Sequence, residues 1–398
     1  MRRIVGILLL VAVLVGVGQW YLAGQASDYI AAEPRLSLSQ ALGGELAGFA
    51  RADRPRVFRF PDDHGPHPAY RTEWWYYTGN LKSAAGRHFG FQLTFFRTAL
   101  KAPTDRVGRT SAWGTQDVYM AHFALSDVAA QRFHAFQRLS RAALGLAGAS
   151  AAPFRVWLED WSVTGEMAAE RPVSMQLSAE EQDVALDLRL RSEKPIVLHG
   201  RNGLSQKGAA AGQASYYYSL TRLRSDGVIR LGAEEFQVQG LSWMDREWST
   251  SVLSEALQGW DWFAIQLTDG QELIVYQIRQ QSGDIHPLSS GTLVAADGTS
   301  QALTSADFQI EVLRTWRSPA DGTVYPAKWR LRIPGEAIEL TITPYMADQE
   351  MHTLIRYWEG AVRAQGTAQG RSLAGDGYVE LTGYGEKKAG SAVFGRMS

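Results

Sequence analysis

The feature that most constrains this chain is a long succession of short segments in which apolar and polar residues alternate, each followed by turn-forming residues. Many short strands with few helices are typical of β-barrels or β-sandwiches. A first series of candidate strands covers residues 73–81, 88–96, 118–125, 155–163, 184–191, 216–223 and 236–243. A second series covers residues 262–267, 273–279, 291–295, 308–315, 329–333, 338–344, 357–363 and 377–383.

Turn-forming residues stand between many of these segments. An Asp-Gly pair suits a tight hairpin because both residues tolerate positive φ. Such pairs occur at Asp226-Gly227, Asp269-Gly270, Asp297-Gly298 and Asp321-Gly322. Two stretches rich in Ala and Gly, residues 142–152 and 203–212, are predicted to be loops. The chain is therefore expected to be an all-β protein.

The start of the chain has the pattern of an export signal. Arg2 and Arg3 precede an apolar run over residues 4–17, and small residues follow near position 26. Residues 1–26 are predicted to be a signal peptide or a membrane anchor, since 4–22 is just long enough to span a bilayer. The protein is expected to be periplasmic or secreted, or anchored to the inner membrane by residues 4–22.

Domain boundaries follow from the same pattern. Residues 27–60 are predicted to be a linker with a short helix over 36–50. The first β-domain is expected over residues 61–250 and the second over 251–390. Their boundary is placed near residue 250, between the two series of strands.

Composition excludes several kinds of chemistry. The chain of 398 residues has no Cys, so disulfides, thiolate nucleophiles and Cys-ligated metals are excluded. The net charge of -1 argues against nucleic acid as a partner. No phosphate-binding loop or dinucleotide fingerprint is present, and the 8 His are scattered. We expect neither a cofactor nor a metal.

Dense groups of aromatic and acidic residues mark the candidate site. In a strand, Trp243, Asp245 and Glu247 share one face, and Met244, Arg246 and Trp248 share the other. Trp260 and Trp262 likewise share a face, with Asp261 opposite. Ligand-binding residues are predicted at Trp74, Trp75, His122, Trp243, Arg246, Glu247, Trp248, Trp260 and Trp262.

Acidic side chains beside Trp rings suit acid catalysis. A carboxyl group in an apolar pocket favours its neutral form, so its pKa rises and it can donate a proton near neutral pH. Protonation of an isolated alkene gives a carbocation, which aromatic faces stabilise. The candidate acids are Asp245, Glu73 and Asp261. Structural alternatives stay open: a rim ion pair for residues 245–247, a satisfied buried acid at Glu73, a surface acid at Asp261, and a packing role for His122 and the rings.

Several longer motifs resemble the AttH family over roughly residues 55–388. They are the segments 70–81 (YRTEWWYYTGNL), 91–97 (FQLTFFR), 121–127 (AHFALSD), 243–248 (WMDREW), 259–263 (GWDWF), 357–362 (YWEGAV) and 377–384 (GYVELTGY). The family is related to the carotenoid 1,2-hydratases. The resemblance implies two tandem lipocalin-like barrels, an apolar ligand and an ABC-transporter permease as a partner near the membrane.

Three functions are compatible with these features. The first is a carrier that holds a lipid or isoprenoid in a cavity or cleft lined by aromatic rings. The second is a hydratase that adds water to an isolated double bond. The third is a structural partner of a permease, with both barrels filled by side chains. Because ligand sites favour domain interfaces, the site is expected at the junction of the two domains.

Overall fold

The structure is a computed structural model that describes residues 46–105, 111–166, 173–250 and 257–385. Within these ranges every strand belongs to one of two antiparallel sheets, and the helical residues form three short 3-10 helices, Asp62–His64, Pro103–Asp105 and Pro334–Glu336. The described residues belong to one compact unit of the chain.

The first sheet contains the strands from the amino-terminal half. They are β1 (Thr72–Ser83), β2 (His88–Ala99), β3 (Asp117–Asp127), β4 (Arg132–Arg141), β5 (Ala147–Ala151), β6 (Phe154–Leu158), β7 (Trp161–Glu166), β8 (Ser174–Glu181), β9 (Val184–Ser192), β10 (Val197–Leu198), β11 (Leu204–Gln206), β12 (Ala214–Leu231) and β13 (Glu234–Ser249). Their order is β4-β3-β2-β1-β13-β12-β9-β8-β7-β6-β5, with β10 and β11 also paired to β12. The sheet curls into a near-complete barrel.

The second sheet contains the remaining strands. They are β14 (Leu257–Leu267), β15 (Glu272–Gln280), β16 (Ser290–Val294), β17 (Ser300–Thr304), β18 (Gln309–Arg317), β19 (Val324–Ile333), β20 (Ile338–Pro344), β21 (Glu350–Met351), β22 (Tyr357–Ala368) and β23 (Arg371–Thr382). Their order is β17-β16-β15-β14-β23-β22-β20-β19-β18, with β21 paired to β22. This sheet forms a half-barrel.

Each sheet buries one face in its own interior. In the first sheet, alternate residues such as Trp75, Phe91 and Trp248 pack into one apolar cluster. In the second, Phe263 and Trp329 belong to the equivalent cluster. Since side chains alternate along a strand, the neighbouring residues of the same strands point outward. The two outward faces then meet each other.

The surface where β1, β2, β3, β12 and β13 face β14, β15, β22 and β23 is called the junction below. Its apolar part is a third cluster that draws residues from both sheets, including Tyr76 and Trp243 from the first and Trp262 from the second. Asn80 Nδ2 donates to the carbonyl of Gly377 at 3.0 Å. Direct hydrogen bonds therefore hold the sheets together in addition to apolar packing.

The predicted fold class is confirmed, since the structure is all-β with two sheets of lipocalin-like barrel type. The turns at Gly270, Gly298 and Gly322 are also confirmed, each with positive φ. The turn predicted at Asp226-Gly227 is wrong. These residues lie inside β12, where pairing to both β9 and β13 outweighs the local turn preference, and the chain reverses at Gly232.

Two predicted loops contain short strands instead. Strand β5 lies within residues 142–152, and β11 lies within 203–212. Strand β5 pairs with β6, and β11 pairs with β12. These main-chain hydrogen bonds form with other segments, so the Ala/Gly-rich composition of the two stretches did not indicate them.

The predicted signal segment and residues 36–45 of the predicted helix lie outside the described residues. Residues 46–50 form a turn. Among the described residues, no helix has the length and apolar character to span a membrane.

Candidate functional site

The junction gathers buried acidic, aromatic and hydroxyl side chains. It does so because outward-facing positions on β12 and β13 alternate with the interior positions that hold the first apolar cluster. Asp245 is 3% exposed. Trp243 lies two residues before it on β13 and Glu247 two residues after it, so all three share one face. The predicted alternation along this segment is therefore present in the structure: Met244 and Trp248 point into the first sheet's interior.

Asp245 receives hydrogen bonds from three side chains. Tyr217 donates its hydroxyl to Oδ2 at 2.7 Å. Ser219 donates to Oδ1, and the indole of Trp243 donates to the same oxygen at 2.6 Å. Burial raises the pKa of Asp245 to about 7, even though all three donors favour the ionised form. The carboxyl group therefore changes its protonation state near neutral pH.

A chain of polar contacts leads from Asp245 to the second sheet. Ser219 Oγ lies 2.6 Å from His199 Nε2, and His199 Nδ1 lies 2.9 Å from Thr292 Oγ1 on β16. Burial lowers the pKa of His199 to about 3, and the charge of Lys207 adds to this effect. His199 is thus a neutral imidazole that connects the two sheets.

Lys207 brings a buried cation to the same side of the junction. Its Nζ lies 3.4 Å from Glu247 Oε1 and 4.2 Å from the centre of the Tyr276 ring. Burial lowers the pKa of Lys207, but Glu247 and Tyr276 outweigh this and leave it raised. Glu247 therefore has a counter-charge.

A second acidic centre lies on the strands of the other sheet. Glu359 is 1% exposed, and Tyr76 of the first sheet donates a hydrogen bond to its Oε1. Trp260 Nε1 donates to Glu380 Oε1 at 2.7 Å. Burial and the neighbouring acidic groups raise the pKa of Glu359 well above its usual value and that of Glu380 to about 7.

Aromatic rings surround these acids. Trp262 packs edge-to-face on Tyr76 and Trp243, with ring centres 5.2 and 6.5 Å apart. Trp74 and Trp260 are partly exposed and pack against this cluster. The junction thus combines carboxyl groups of raised pKa with electron-rich ring faces, two of which, Trp74 and Trp260, are partly exposed.

Glu73 lies elsewhere, inside the first sheet. Its carboxylate forms ion pairs with Arg97 and Arg246 and accepts the backbone N–H of His67 at 3.0 Å. Burial opposes the charge, but the two guanidinium groups hold the pKa of Glu73 well below its usual range. Glu73 is therefore an ionised, fully paired carboxylate.

Arg246, Trp75 and Trp248 belong to the same interior group as Glu73. The guanidinium carbon of Arg246 lies 3.9 Å from the centre of the Trp75 ring and 5.2 Å from that of Trp248. His67 stacks on Trp248 with ring centres 3.7 Å apart. These residues therefore pack on one another beside the Glu73 carboxylate.

Asp261 and His122 occupy two further positions. Asp261 accepts hydrogen bonds from Arg279 at 2.9 Å and Tyr384 at 3.1 Å, and burial raises its pKa despite both partners. His122 lies at the junction, with Nδ1 2.7 Å from the hydroxyl of Tyr357 on β22. Burial lowers the pKa of His122 to about 4.

The structure therefore divides the predicted site residues between separate environments. Asp245, Trp243, Glu247, Trp74, Trp260, Trp262 and His122 lie at the junction. Glu73, Trp75, Arg246 and Trp248 lie in the first sheet's interior, and Asp261 pairs within the second sheet.

Sequence reasoning missed several junction residues, namely Tyr76, Lys207, Tyr217, Ser219, His199, Glu359 and Glu380. Glu359 and Glu380 stand in the motifs at 357–362 and 377–384. Both could have been identified as candidate site residues, because each is an acid within an aromatic strand motif. Ser219, His199 and Lys207 carry no such local signal. Within the described ranges, no three His, Asp or Glu side chains group as metal ligands would.

The fold and the junction define a two-sheet protein of the lipocalin-like class. The AttH-like family model matches residues 51–384, and the chain belongs to this family. An AttH protein of Nitrosomonas europaea shares 36% sequence identity and a TM-score of 0.74, over 84% of this chain and 100% of that one. No curated protein matches the chain.

A hydratase has the same fold. Kievitone hydratase from Nectria haematococca aligns with a TM-score of 0.63 over 85% of this chain and 96% of that chain. Its sequence identity is 14%, so this similarity concerns the fold alone.

Proposed function

We propose that this protein catalyses acid-assisted addition of water to an isolated carbon–carbon double bond of an isoprenoid bound at the junction. The observation that carries the proposal is Asp245, a buried carboxyl group whose pKa is raised to about 7 beside Trp243 and Trp262. An acid with such a pKa is protonated in a large fraction of molecules at neutral pH. It is also acidic enough to give that proton to a substrate.

The proposed reaction needs only water and the apolar substrate. The neutral carboxyl group of Asp245 supplies a proton to one alkene carbon, and positive charge develops on the other. The ring faces of Trp243 and Trp262 stabilise that charge. Water forms the new C–O bond and loses a proton to the Asp245 carboxylate, so the product is an alcohol and the acid is restored.

The junction suits this role better than the interiors of the two sheets. Both interiors hold continuous apolar clusters in which side chains pack on one another. Asp245 and Glu380, two carboxyl groups whose pKa is raised to about 7, lie at the junction instead, together with the partly exposed rings of Trp74 and Trp260. The hydratase fold of the Nectria protein supports the same reading.

The test uses lycopene, an isoprenoid hydrocarbon with isolated double bonds near its ends. Purified protein is incubated with lycopene in ¹⁸O-labelled water, products are identified by mass spectrometry, and binding is measured by quenching of Trp fluorescence. The proposal expects an ¹⁸O-labelled alcohol from the wild type, and binding without product from Asp245→Asn. Asp226→Asn, on an exposed aspartate of β12, is the matched control and keeps its activity.

The carrier function gives a different result in the same experiment. Wild type and Asp245→Asn would then bind lycopene with similar affinity, and neither would form an alcohol. That outcome would reject the hydratase proposal.

We also propose that the chain is exported and acts beside an ABC-transporter permease in the bacterial envelope. The positively charged start and the apolar run over residues 4–17 support export. Fractionation of cells that produce the full chain should find it in the periplasmic or membrane fraction, and replacement of residues 4–17 by polar residues should leave it in the cytoplasm. Co-purification with a permease tests the partner.

A further inference from the structure

The hydrogen bonds of Asp245 distinguish its two oxygens. Oδ1 accepts from both Ser219 and Trp243, whereas Oδ2 accepts only from Tyr217. The indole N–H of Trp243 can only donate, so it fixes Oδ1 as an acceptor. A proton on Oδ1 would therefore face two donors.

The hydrogen bond from Ser219 to Oδ1 sets the donor and acceptor roles of His199. Ser219 gives its hydrogen to Oδ1, so its oxygen accepts from His199 Nε2 at 2.6 Å. His199 Nδ1 is then free to accept from Thr292 at 2.9 Å. Because Oδ1 already accepts from Trp243 and Ser219, Oδ2 is the oxygen that carries the acid proton.

A proton on Oδ2 reverses the bond to Tyr217. Tyr217 lies 2.7 Å from Oδ2, and in the neutral acid its oxygen becomes the acceptor of the Asp245 proton. The same oxygen accepts from Trp262 Nε1 at 3.2 Å. With both lone pairs of Tyr217 occupied, its own hydrogen must point away from Asp245 and Trp262. Among the described residues, the hydroxyl of Tyr217 donates no hydrogen bond other than the one to Asp245.

We infer that the hydroxyl of Tyr217 is the group that delivers the proton of Asp245 to a ligand at the junction. This inference rests on the proposed hydration and assigns the group that touches the substrate. The O–H bond of Tyr217 breaks as its proton moves to the alkene carbon. The proton on Asp245 Oδ2 moves to the Tyr217 oxygen in the same step.

The charges balance through the cycle. The ligand gains one proton and Asp245 becomes a carboxylate, which accepts from Ser219, Trp243 and the reformed Tyr217 hydroxyl. Water adds to the carbocation, and its surplus proton returns to Asp245 by the reverse of the same path. Asp245 is then a proton store, and Tyr217 is the catalytic residue in contact with the substrate.

The first test needs no substrate. Neutron diffraction from crystals of the deuterated protein, grown at about pH 5 so that Asp245 is neutral, locates the exchangeable deuterium atoms. The inference expects deuterium on Asp245 Oδ2 and the O–D bond of Tyr217 directed away from Asp245. Deuterium on Oδ1, or a Tyr217 O–D bond directed at Asp245, would overturn it.

The second test measures turnover of lycopene by Tyr217→Phe, which keeps the ring and removes only the hydroxyl. We expect kcat to fall roughly 100-fold or more with little change in lycopene affinity. Because the two groups act as one unit, Asp245→Asn combined with Tyr217→Phe should be no slower than Asp245→Asn alone. Tyr218→Phe is the matched control, since its hydroxyl contacts His64 in the first sheet's interior.

The outcomes separate the two proposals. Full activity of Asp245→Asn, or no hydration by the wild type, rejects the proposed function, and the neutron result still decides where the proton lies. Loss of activity in Asp245→Asn with full activity in Tyr217→Phe rejects only the delivery role of Tyr217.

Discussion

Glu359 and Glu380 lie directly opposite one another on the neighbouring strands β22 and β23, with Glu359 fully buried and Glu380 partly buried at the junction. Like charges at directly opposed positions destabilise an antiparallel pair. Their surroundings avoid this repulsion by favouring the neutral acids, since the pKa of each carboxyl group is raised.

This pairing predicts that Glu380→Gln stabilises the protein at alkaline pH. The pKa of Glu380 in the folded state is about 7, above its ordinary value of 4.5. Its stabilising contribution is therefore complete below pH 4.5 and is lost as pH rises through 7. The amide cannot ionise and still accepts from Trp260. We expect a gain of roughly 3 kcal/mol at about pH 9 and none at about pH 4.

Urea unfolding across this pH range measures the effect. The matched control is Glu235→Gln, on an exposed residue of β13, which should change the free energy of unfolding little at any pH. A gain that is the same at both ends of the pH range would contradict the raised pKa of Glu380.

Asp245→Asn should remove a second pH-dependent contribution to the free energy of unfolding. The folded-state pKa of about 7 exceeds the ordinary 3.8, so Asp245 loses its stabilising effect as pH rises between these values. The shift corresponds to roughly 4 kcal/mol across that interval. The amide nitrogen can occupy the Oδ2 position and donate to Tyr217. A stability profile of Asp245→Asn as steep as that of the wild type would argue against this environment.

Glu73→Gln should be strongly destabilising. Arg97 and Arg246 are both buried and share the Glu73 carboxylate, so the amide leaves two guanidinium groups without their common counter-charge. Removal of one partner from a buried ion pair costs about 3–5 kcal/mol. The folded-state pKa is lowered, so this contribution is present above pH 4.5 and is lost as pH falls below it.

Thermal unfolding at about pH 7 compares Glu73→Gln with the exposed Glu235→Gln. Equal Tm values for the two variants would show that the ion cluster contributes nothing to stability. The circular dichroism spectrum at low temperature establishes that the variant is folded before melting.

Gly90 sets the distance between the two sheets. A Cβ atom on this residue of β2 would lie 2.5 Å from the Cβ of Ala361 on β22. Gly90→Ala should therefore push the sheets apart and destabilise the protein by roughly 1–3 kcal/mol. Gly335→Ala is the control, because nothing lies within 4 Å of its added Cβ. Similar unfolding midpoints in urea for the two variants would rule out close packing at Gly90.

Much of the fold could be predicted from sequence because alternation is a local property. The pattern Trp243-Met244-Asp245 assigns opposite faces to neighbouring residues wherever the strand pairs. The same local reasoning failed at Asp226-Gly227, where a strong turn signal lies inside β12. Strands on both sides supply hydrogen bonds to that segment, and no short window of sequence contains them.

The candidate site was only partly accessible to the same reasoning. The sequence indicated that Asp245 and Glu73 both stand among aromatic rings, and it could not distinguish their protonation. The neighbouring groups decide the two protonation states. Arg97 and Arg246 form ion pairs with Glu73 and favour its ionised form, whereas the hydrogen-bond donors to Asp245 are neutral.

The sequence by itself determined most of the strands, the alternation of their faces and the family of this protein, since these depend on neighbouring residues and on long motifs. The tertiary structure decided which faces meet. Tyr217, Asp245 and Trp262 form one hydrogen-bonded group only because the outward faces of two sheets pack together. Burial and distance set a pKa, and both depend on residues far apart in the chain.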